Sequence, residues 1–274
     1  MNKKLKDKIN SHVKLSLLED QIKKDCTTKN LKNQDVKASL FFKEESVLFG
    51  KVWFEQSYKL FDKKIKFKWN YNDGDLVRKN RKVCEVTGNA KSILSCERVS
   101  LNFLQTLSAI SNSAYLYNKK VSKKRIQILY TRKTIPGWRY AIDLACQKHN
   151  CLPHRRDLEH QILIKENHLN CINDFSEYIR QCKKIKKSII VEAKSINEAK
   201  KFSKIKGIKR VLLDNFKPSD IKRFLSGVNN MEVEVSGNIN LNNINKYLIN
   251  GVDYISIGSI TKNIKATDMT LLIK

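Results

Sequence analysis

The sequence lacks several features that would assign a protein to a class at once. No run of 18 apolar residues occurs, so no transmembrane helix is expected. The first residues, Met1–Asp7, lack the apolar core of a secretory signal. No Gly-x-Gly-x-x-Gly follows a predicted strand, which argues against a dinucleotide-binding Rossmann unit. These absences predict a soluble cytoplasmic protein that does not bind a nicotinamide cofactor in the Rossmann manner.

Cysteine pairs with the spacing of metal ligands are also missing. The seven cysteines stand at positions 26, 84, 96, 146, 151, 171 and 182, and none of them forms a Cys-x-x-Cys pair. Their number is odd. The sequence therefore predicts neither a zinc site nor a disulfide framework. Each cysteine is expected to be a small buried apolar side chain or an inert thiol.

Acidic residues are only half as common as basic ones. The 54 Lys and Arg against 27 Asp and Glu give a net charge of +27, which would suit nucleic acid, an anionic membrane or small anionic substrates. The excess lysine is scattered along the chain, and basic stripes with interleaved aromatics, typical of nucleic-acid binders, are not seen. Asn and Ile are also abundant, whereas Gly and Pro are scarce. We interpret the charge as compositional drift and predict neither a nucleic-acid nor a membrane partner.

The first part of the chain mixes helical and strand-like patterns. Residues 1 to about 30 are predicted to be helical, with Val13, Leu15, Leu17, Leu18 and Ile22 near one face. From about 36 to 86, short runs with period-two alternation indicate strands. A second helix is predicted from about 97 to 111, where apolar residues recur at helical spacing. These elements indicate a first domain of mixed α and β structure over residues 1–112.

The remainder of the chain, residues 113–264, has a regular organisation. Short apolar or β-branched runs end near Tyr130, Ile164, Ala193, Leu213, Val235 and Ile257. Each interval is long enough for a crossover helix, such as the one predicted at 218–225. Strands that alternate with helices at this spacing favour parallel βα units, arranged either as a barrel or as an open doubly wound sheet.

Polar residues follow these predicted strands. The strand ends are followed by Thr131–Lys133, Lys165, Lys194, Asp214, Ser236–Asn238 and Gly258–Ser259. In a βα barrel the C-terminal strand ends converge on one face, which carries the site. The last two turns contain glycine, so backbone N–H groups there could cradle a phosphate. Cations, one carboxylate and two glycine turns on one rim indicate a site for an anionic substrate.

The segment Thr131–Arg139, with the sequence TRKTIPGWR, contains three cations in nine residues. A strand that ends in a cationic turn suits phosphates or carboxylates. The same segment could be a solvated basic loop of a lysine-rich protein. Its spacing alone does not separate the two interpretations.

Taken in order, the motifs match those of a known family. They are LLED at 17–20, DCTT at 25–28, DGD at 73–75, ERVSLNFLQTLS at 97–108, TRKTIPGWR at 131–139, HR at 154–155, LIKENH at 163–168, LDN at 213–215, EVSGN at 234–238 and GVDYISIG at 251–258. Through them the chain resembles the quinolinate phosphoribosyltransferases, also called nicotinate-nucleotide pyrophosphorylases (carboxylating). The match covers nearly the whole chain.

The resemblance implies a particular architecture. It consists of an N-terminal α/β sandwich domain and an incomplete α/β barrel of the type II phosphoribosyltransferase kind, with residues 265–274 returning to the first domain. The family works as a homodimer in which Arg98 of one protomer completes the site of the other.

The resemblance also implies the chemistry. Quinolinate and phosphoribosyl pyrophosphate would give nicotinate mononucleotide, pyrophosphate and CO2, with Mg2+ as cofactor. The implied substrate-binding residues are Arg98, Thr131, Arg132, Lys133, His154, Arg155, Lys165, Lys194 and Asp214. The implied phosphate-binding residues are Ser236, Gly237, Asn238, Ile257, Gly258 and Ser259. Asp214 would also help to hold the metal indirectly.

The chain departs from the family pattern at two places that bear on the site. Lys194 stands where the family has a second acidic residue, two positions after Glu192. The glycines that precede the His-Arg pair in the family are replaced by bulkier residues in the loop 149–153. These departures leave open a relative that uses another pyridine or pyrimidine acceptor, and a decayed protein that keeps only fold and dimer.

Overall fold

The computed structural model describes residues 3–228 and 230–273, without the side chain of Lys4, and these residues form two compact units. The first unit takes the described residues up to 115, together with 135–149 and those from 264 onward. The second unit takes the described residues of 116–134 and 150–263. Residues 135–149 thus cluster with the first unit, whereas the sequence assigned them to the second domain. No helix of the described residues is long and apolar enough to cross a membrane.

The regular elements are as follows. The helices are α1 (Lys3–Glu19), α2 (Lys51–Lys59), α3 (Ala90–Val121), α4 (Arg139–Gln147), α5 (Glu166–Leu169), α6 (Phe175–Lys184), α7 (Ile196–Ser203), α8 (Pro218–Leu225) and α9 (Ser259–Lys262). The strands are β1 (Asp35–Phe42), β2 (Ser46–Val47), β3 (Lys66–Trp69), β4 (Leu76–Val77), β5 (Lys82–Asn89), β6 (Gln127–Tyr130), β7 (Leu152–Pro153), β8 (Ile162–Ile164), β9 (Ile189–Ala193), β10 (Ile208–Asp214), β11 (Glu232–Ser236), β12 (Tyr254–Ile257) and β13 (Met269–Ile273). Short 3-10 turns occupy Ile22–Lys24 and Ile244–Tyr247.

The first unit is built on a four-stranded sheet in the order β13-β1-β5-β3, in which each neighbouring pair is antiparallel. Aromatic side chains of α2 pack on β3, with ring centroids 5.4 Å apart for Phe54 and Trp69 and 5.6 Å apart for Tyr58 and Phe67. The carboxylate of Asp73 accepts the backbone N–H groups of Gly50 and Lys51 at the start of α2. The Asp-Gly-Asp motif therefore caps a helix.

The helix predicted over residues 1 to about 30 is shorter than expected, and its buried face was partly wrong. It ends at Glu19, and Gln21 then takes a left-handed conformation with φ of 50°. The stripe of Ile9, Val13 and Leu17 is buried, whereas Leu15 and Leu18 are 65% and 55% exposed. The reason is the 3.6-residue period, which lines up positions four apart and places 15 and 18 off that stripe.

The second unit contains a seven-stranded parallel sheet in the order β7-β6-β12-β11-β10-β9-β8. All six strands predicted here are present. β7, which pairs with β6, was not predicted because two residues are too few for a periodic signal. β7 and β8 follow one another in the chain but lie at opposite edges of the sheet. The sheet is therefore a curled, incomplete barrel, as the resemblance implied.

Period-two alternation determines what faces the barrel interior. Leu163, Ile190 and Leu212 form one apolar cluster, each from a different neighbouring strand. Two residues further along the same three strands, and so on the same face, stand Lys165, Glu192 and Asp214. The interior thus has an apolar layer, and a charged layer follows at the C-terminal strand ends.

A candidate active site at the barrel's C-terminal face

A cavity of about 760 Å³ opens at the C-terminal ends of the barrel strands. Most of the implied site residues line it: Thr131, Arg132, Lys133, His154, Arg155, Lys165, Asp214, Ser236, Gly237, Asn238, Gly258 and Ser259. The sequence analysis did not assign six further polar residues that line it: Glu192, Asn215, Asn240, Ser256, Lys262 and Asn263. The cavity therefore brings together side chains from the ends of seven strands. These side chains are neighbours only because the sheet is curved.

One wall of the cavity is cationic. Burial lowers the pKa of the Arg155 guanidinium, and the nearby positive charge of Arg132 lowers it further. The buried Nε of Arg132 has no hydrogen-bond partner within the described part of the chain. Two guanidinium groups that repel one another, one of them with an unused donor, form a site that an anion would stabilise.

Lysine and glutamate meet on the neighbouring side of the cavity. Lys165 Nζ donates to Glu192 Oε2 over 2.7 Å. The Lys165 side chain is 46% exposed, whereas that of Glu192 is 10% exposed. Glu192 therefore pairs with a half-exposed ammonium at the edge of the cavity, where a competing phosphate or carboxylate could reach it.

The opposite wall carries Asp214, which is fixed by two donors. Ser236 Oγ donates to Asp214 Oδ1 over 2.7 Å, and Asn215 Nδ2 donates to Asp214 Oδ2 over 3.0 Å. Asn215 Oδ1 in turn accepts from Asn238 Nδ2 over 3.2 Å. The carboxylate is oriented, and its remaining lone pairs are left for a ligand.

The turn after β11 is built for close approach of a ligand to the backbone. Gly237 has φ of 100° and Asn238 has φ of 50°. A Cβ at Gly237 would lie 2.3 Å from Asn215 Oδ1, so no side chain fits there. Glycine is required at this position both by its φ and by the space available.

The turn after β12 is anchored from two directions. Tyr117 OH and Ser259 Oγ are hydrogen bonded over 3.0 Å, and Thr261 Oγ1 donates to the carbonyl of Thr131 over 3.3 Å. Lys262, at the end of α9, lines the same part of the cavity. The sequence analysis missed it because one lysine among many carries no signal.

The loop before His154 contains no glycine, whereas the resemblance implies glycines there. Asn150 takes a left-handed conformation with φ of 55°, which asparagine tolerates better than most residues. Cys151 is fully buried, and burial raises the pKa of its thiol to about 12. Pro153 lies opposite Tyr130 in the β6–β7 pair, and the His154 N–H donates to the Tyr130 carbonyl over 2.9 Å. The chain thus holds His154 at the cavity without those glycines.

Three of the implied site residues do not line this cavity. Ile257 is buried within β12, so only its backbone is available to a ligand. Arg98 is exposed on α3 in the first unit. Lys194 forms an ion pair with Glu166, and its N–H donates to Glu198 Oε2 over 2.8 Å. The pKa of the Lys194 ammonium is raised, chiefly by its hydrogen bond with Glu166.

We expect Lys194→Met to change kcat/KM by less than about fivefold, because the ammonium is exposed, pairs with Glu166 and does not line the cavity. Steady-state kinetics with each substrate varied would measure this. Lys187→Met, which removes an exposed lysine 3.9 Å from Glu159, is the matched control. A loss of about 100-fold in Lys194→Met alone would show instead that this ammonium reaches the substrate.

No group of three or more His, Cys, Asp or Glu side chains that could hold a metal occurs among the described residues. Glu192 and Asp214 nevertheless both line the cavity. Mg2+ is commonly held by one or two carboxylates together with substrate phosphates. These two residues fit a metal that arrives with a phosphorylated substrate, and they do not fit a permanent all-protein site.

An incomplete parallel barrel with a cationic wall, a fixed carboxylate and a glycine turn at its C-terminal face defines an enzyme for phosphorylated, polyanionic substrates. The family models named quinolinate phosphoribosyl transferase, N-terminal domain and C-terminal domain, match residues 25–108 and 110–272. The chain belongs to the quinolinate phosphoribosyltransferase family, whose members are pentosyltransferases.

Individual relatives agree with this assignment. The chloroplastic nicotinate-nucleotide pyrophosphorylase [carboxylating] of Arabidopsis thaliana is 30% identical over 88% of this chain and 75% of its own length. The probable nicotinate-nucleotide pyrophosphorylase [carboxylating] of Bacillus subtilis is 29% identical over 93% of this chain and 89% of its own. The solved structure of the nicotinate-nucleotide pyrophosphorylase from Francisella tularensis superposes with a TM-score of 0.91 at 35% identity, covering 98% of this chain and 96% of that one.

Proposed function

We propose that this chain transfers the phosphoribosyl group of phosphoribosyl pyrophosphate to quinolinate, with release of pyrophosphate and CO2. The product is nicotinate mononucleotide, an intermediate of NAD biosynthesis. The observation that carries the proposal is that one cavity brings cationic side chains together with a fixed carboxylate and two turns that contain glycine. These groups match a dicarboxylate and a phosphorylated sugar.

The cationic wall is proposed to bind the quinolinate carboxylates and the pyrophosphate. Arg132 and Arg155 have the planar fork that binds a carboxylate through two parallel hydrogen bonds. Lys133 and Lys165 extend the positive surface around them, and His154 lines the same cavity. Lys165 would exchange its bond with Glu192 for one with the entering anion.

The opposite wall is proposed to bind the phosphoribosyl group. Asp214 would accept hydrogen bonds from the ribose hydroxyls, since its two oxygens are already oriented by Ser236 and Asn215. Backbone N–H groups of Ser236–Asn238 and of 257–259 would bind the 5′-phosphate. Lys262 adds one positive charge near that phosphate.

The chemistry requires positioning and electrostatic stabilisation, without a protein nucleophile. The pyridine nitrogen attacks the anomeric carbon as the bond to pyrophosphate breaks, and the cationic wall stabilises the departing charge. Nitrogen then carries a positive charge, which stabilises the carbanion left at the adjacent carbon when its carboxylate departs as CO2. That carbon finally takes up a proton. Glu192, and Asp214 indirectly, would hold a Mg2+ ion, which would supply positive charge to offset that of the substrate phosphates.

The assembly and the location form part of the same proposal. Arg98 is exposed on its helix, which is consistent with a role in the cavity of a neighbouring copy. We therefore propose a homodimer in which each site receives one arginine from its partner. A cytoplasmic location follows from the sequence-based expectation.

Purified protein incubated with quinolinate, phosphoribosyl pyrophosphate and Mg2+ should form nicotinate mononucleotide and one equivalent of CO2. Chromatography and release of label from the 2-carboxylate would measure them. Nicotinate and orotate in place of quinolinate would test other acceptors. Two results would contradict the proposal: a folded dimer that forms a nucleotide from another acceptor but not from quinolinate, and a folded dimer that forms no nucleotide from any of these acceptors.

A further inference from the structure

We propose that Glu234, in the barrel interior, is a positioning residue that fixes the ring of His154 through Nδ1 and so presents Nε2 to the bound dicarboxylate. The identity of that ligand rests on the proposed function above. The role of Glu234 itself rests on the contacts within the barrel.

Glu234 is fully buried on β11 and accepts hydrogen bonds from three different segments. Its Oε1 is 2.6 Å from His154 Nδ1 and accepts from Ser256 Oγ over 2.5 Å. Its Oε2 accepts from Arg210 Nη1 over 3.0 Å. Burial alone would raise the pKa of this carboxyl, but the bonds from His154 and Ser256 and the charge of Arg210 lower it. The side chain is therefore an ionised acceptor for Nδ1–H.

The carboxylate cannot easily turn away from His154, because its other partner is fixed. Glu232, two residues earlier on β11, also binds Arg210: its Oε2 accepts from Arg210 Nε over 3.0 Å. The guanidinium carbon lies 3.6 Å from the ring centroid of Tyr254. Arg210 thus cannot move far, and it anchors one oxygen of Glu234 while the other oxygen faces the imidazole.

The far side of the imidazole has no partner. His154 is 7% exposed, lines the cavity, and its Nε2 has no hydrogen-bond partner within residues 3–228 and 230–273. Because Nδ1–H donates its hydrogen bond to Glu234, Nε2 is the ring nitrogen that remains available to a ligand in the cavity. An Nε2–H group at this position would donate to a carboxylate of the ligand. The negative charge of Glu234 would then offset the positive charge of the imidazolium ring, which lies near Arg210 and Arg155.

Glu234 is the first residue of the motif EVSGN, but the sequence analysis assigned a role only to the last three residues of that motif. Glu234 stands two residues before Ser236, and alternation places both on the interior face of β11. Its partners Arg210 and Ser256 belong to the two strands that flank β11 in the sheet. β11 contains two glutamates, Glu232 and Glu234, so the sequence alone does not show which of them is buried or which partners it has.

The test is Glu234→Gln, which keeps the side-chain volume and removes the charge. We expect the KM for quinolinate to rise about 10- to 100-fold, as for loss of a charge-assisted hydrogen bond, with the KM for phosphoribosyl pyrophosphate changed less than about threefold. In ¹⁵N-histidine NMR spectra of the ligand-free protein, the Nδ1–H form of His154 should dominate in the wild type and decline in the variant. Assignment would use His154→Gln.

Glu232→Gln is the matched control. It makes the same substitution two residues earlier on β11 and removes the other carboxylate of Arg210, but Glu232 has no contact with His154 among the bonds described. Both readouts should change much less than in Glu234→Gln, because the amide oxygen that replaces the carboxylate can still accept from Arg210 Nε. Glu234→Asp retains the charge but shortens the side chain, and it should give an intermediate quinolinate KM. It also provides a second variant if Glu234→Gln does not fold.

Two results would overturn the proposal: unchanged His154 nitrogen signals in Glu234→Gln and Glu234→Asp, or the same changes in Glu232→Gln. The NMR measurement needs no substrate, so it separates this proposal from the proposed function. If His154 responds to Glu234 but the wild type does not use quinolinate, the positioning role stands and the assigned substrate is wrong. If quinolinate is used but His154 does not respond, the positioning role is wrong.

Discussion

Replacing Asp214 with Asn is expected to lower kcat/KM for phosphoribosyl pyrophosphate by about 100-fold, equivalent to about 2.7 kcal/mol of transition-state stabilisation. The amide has no charge and offers a donor where the carboxylate offered an acceptor. That NH2 would face either the hydroxyl of Ser236 or the NH2 of Asn215. The amide of Asn215 cannot flip freely, because its oxygen accepts from Asn238. Both the ribose contact and its supporting bonds are therefore weakened.

The control for this substitution is Asp220→Asn. Asp220 lies on α8 and pairs with exposed Arg223 over 3.0 Å, so its loss should change kcat/KM less than about twofold. Steady-state kinetics with phosphoribosyl pyrophosphate varied at saturating quinolinate would compare the two variants. Equal, small effects in both would show that Asp214 does not contact the substrate in the transition state.

The same variant tests the proposed dimer. Asp214→Asn and Arg98→Ala would each retain about 1% of the wild-type activity or less when assayed alone. Mixed after reversible dissociation, about half of the dimers would be hybrids with one intact site of two, and about a quarter of wild-type activity would return. No recovery from a mixture shown to contain hybrids would mean that Arg98 does not act in the partner's cavity.

Replacing Gly237 with Ala is expected to destabilise the second unit by about 3–4 kcal/mol and lower its melting temperature by about 10–15 °C. The φ of 100° costs an L-residue free energy, and the new Cβ would lie 2.3 Å from Asn215 Oδ1 and 2.7 Å from Asn215 N. Since the backbone atom cannot move aside, the whole turn must shift. The KM for phosphoribosyl pyrophosphate should rise as well, because the N–H groups proposed for the phosphate move with it.

Gly137→Ala separates backbone strain from the steric clash. Gly137 has φ of 81°, but no heavy atom lies within 4 Å of an added Cβ. Its substitution should therefore cost only about 1–2 kcal/mol. Scanning calorimetry would measure both variants. An equal decrease in the free energy of unfolding for Gly137→Ala and Gly237→Ala would mean that the clash of the new Cβ with Asn215 does not contribute to the destabilisation.

The segment 131–139 shows how far a motif can be understood from its sequence. Of its three cations, only Arg132 and Lys133 were expected to bind an anionic substrate. In the structure, Thr131–Lys133 lie at the cavity, whereas Pro136 and Gly137 turn the chain so that Trp138 stacks on Phe103 within the first unit, with centroids 4.7 Å apart. The motif therefore contributes both to the cavity and to packing within the first unit. Sequence spacing cannot separate these two functions, because both use residues of the same short segment.

The sequence by itself determined the strands of the barrel, the family and most of the residues that line the cavity. The strands and the polar residues after them could be predicted because apolar runs and the residues that follow them are local properties. The family, together with His154 and Arg155, was predicted from the ordered motifs. Tertiary structure decided which of these residues meet. It paired Lys194 with Glu166, brought Glu192 and Lys262 to the cavity, and placed Glu234 between Arg210 and His154. The reason is physical: the curvature and register of the sheet set distances between residues far apart in the chain, and hydrogen bonds and ion pairs depend on those distances.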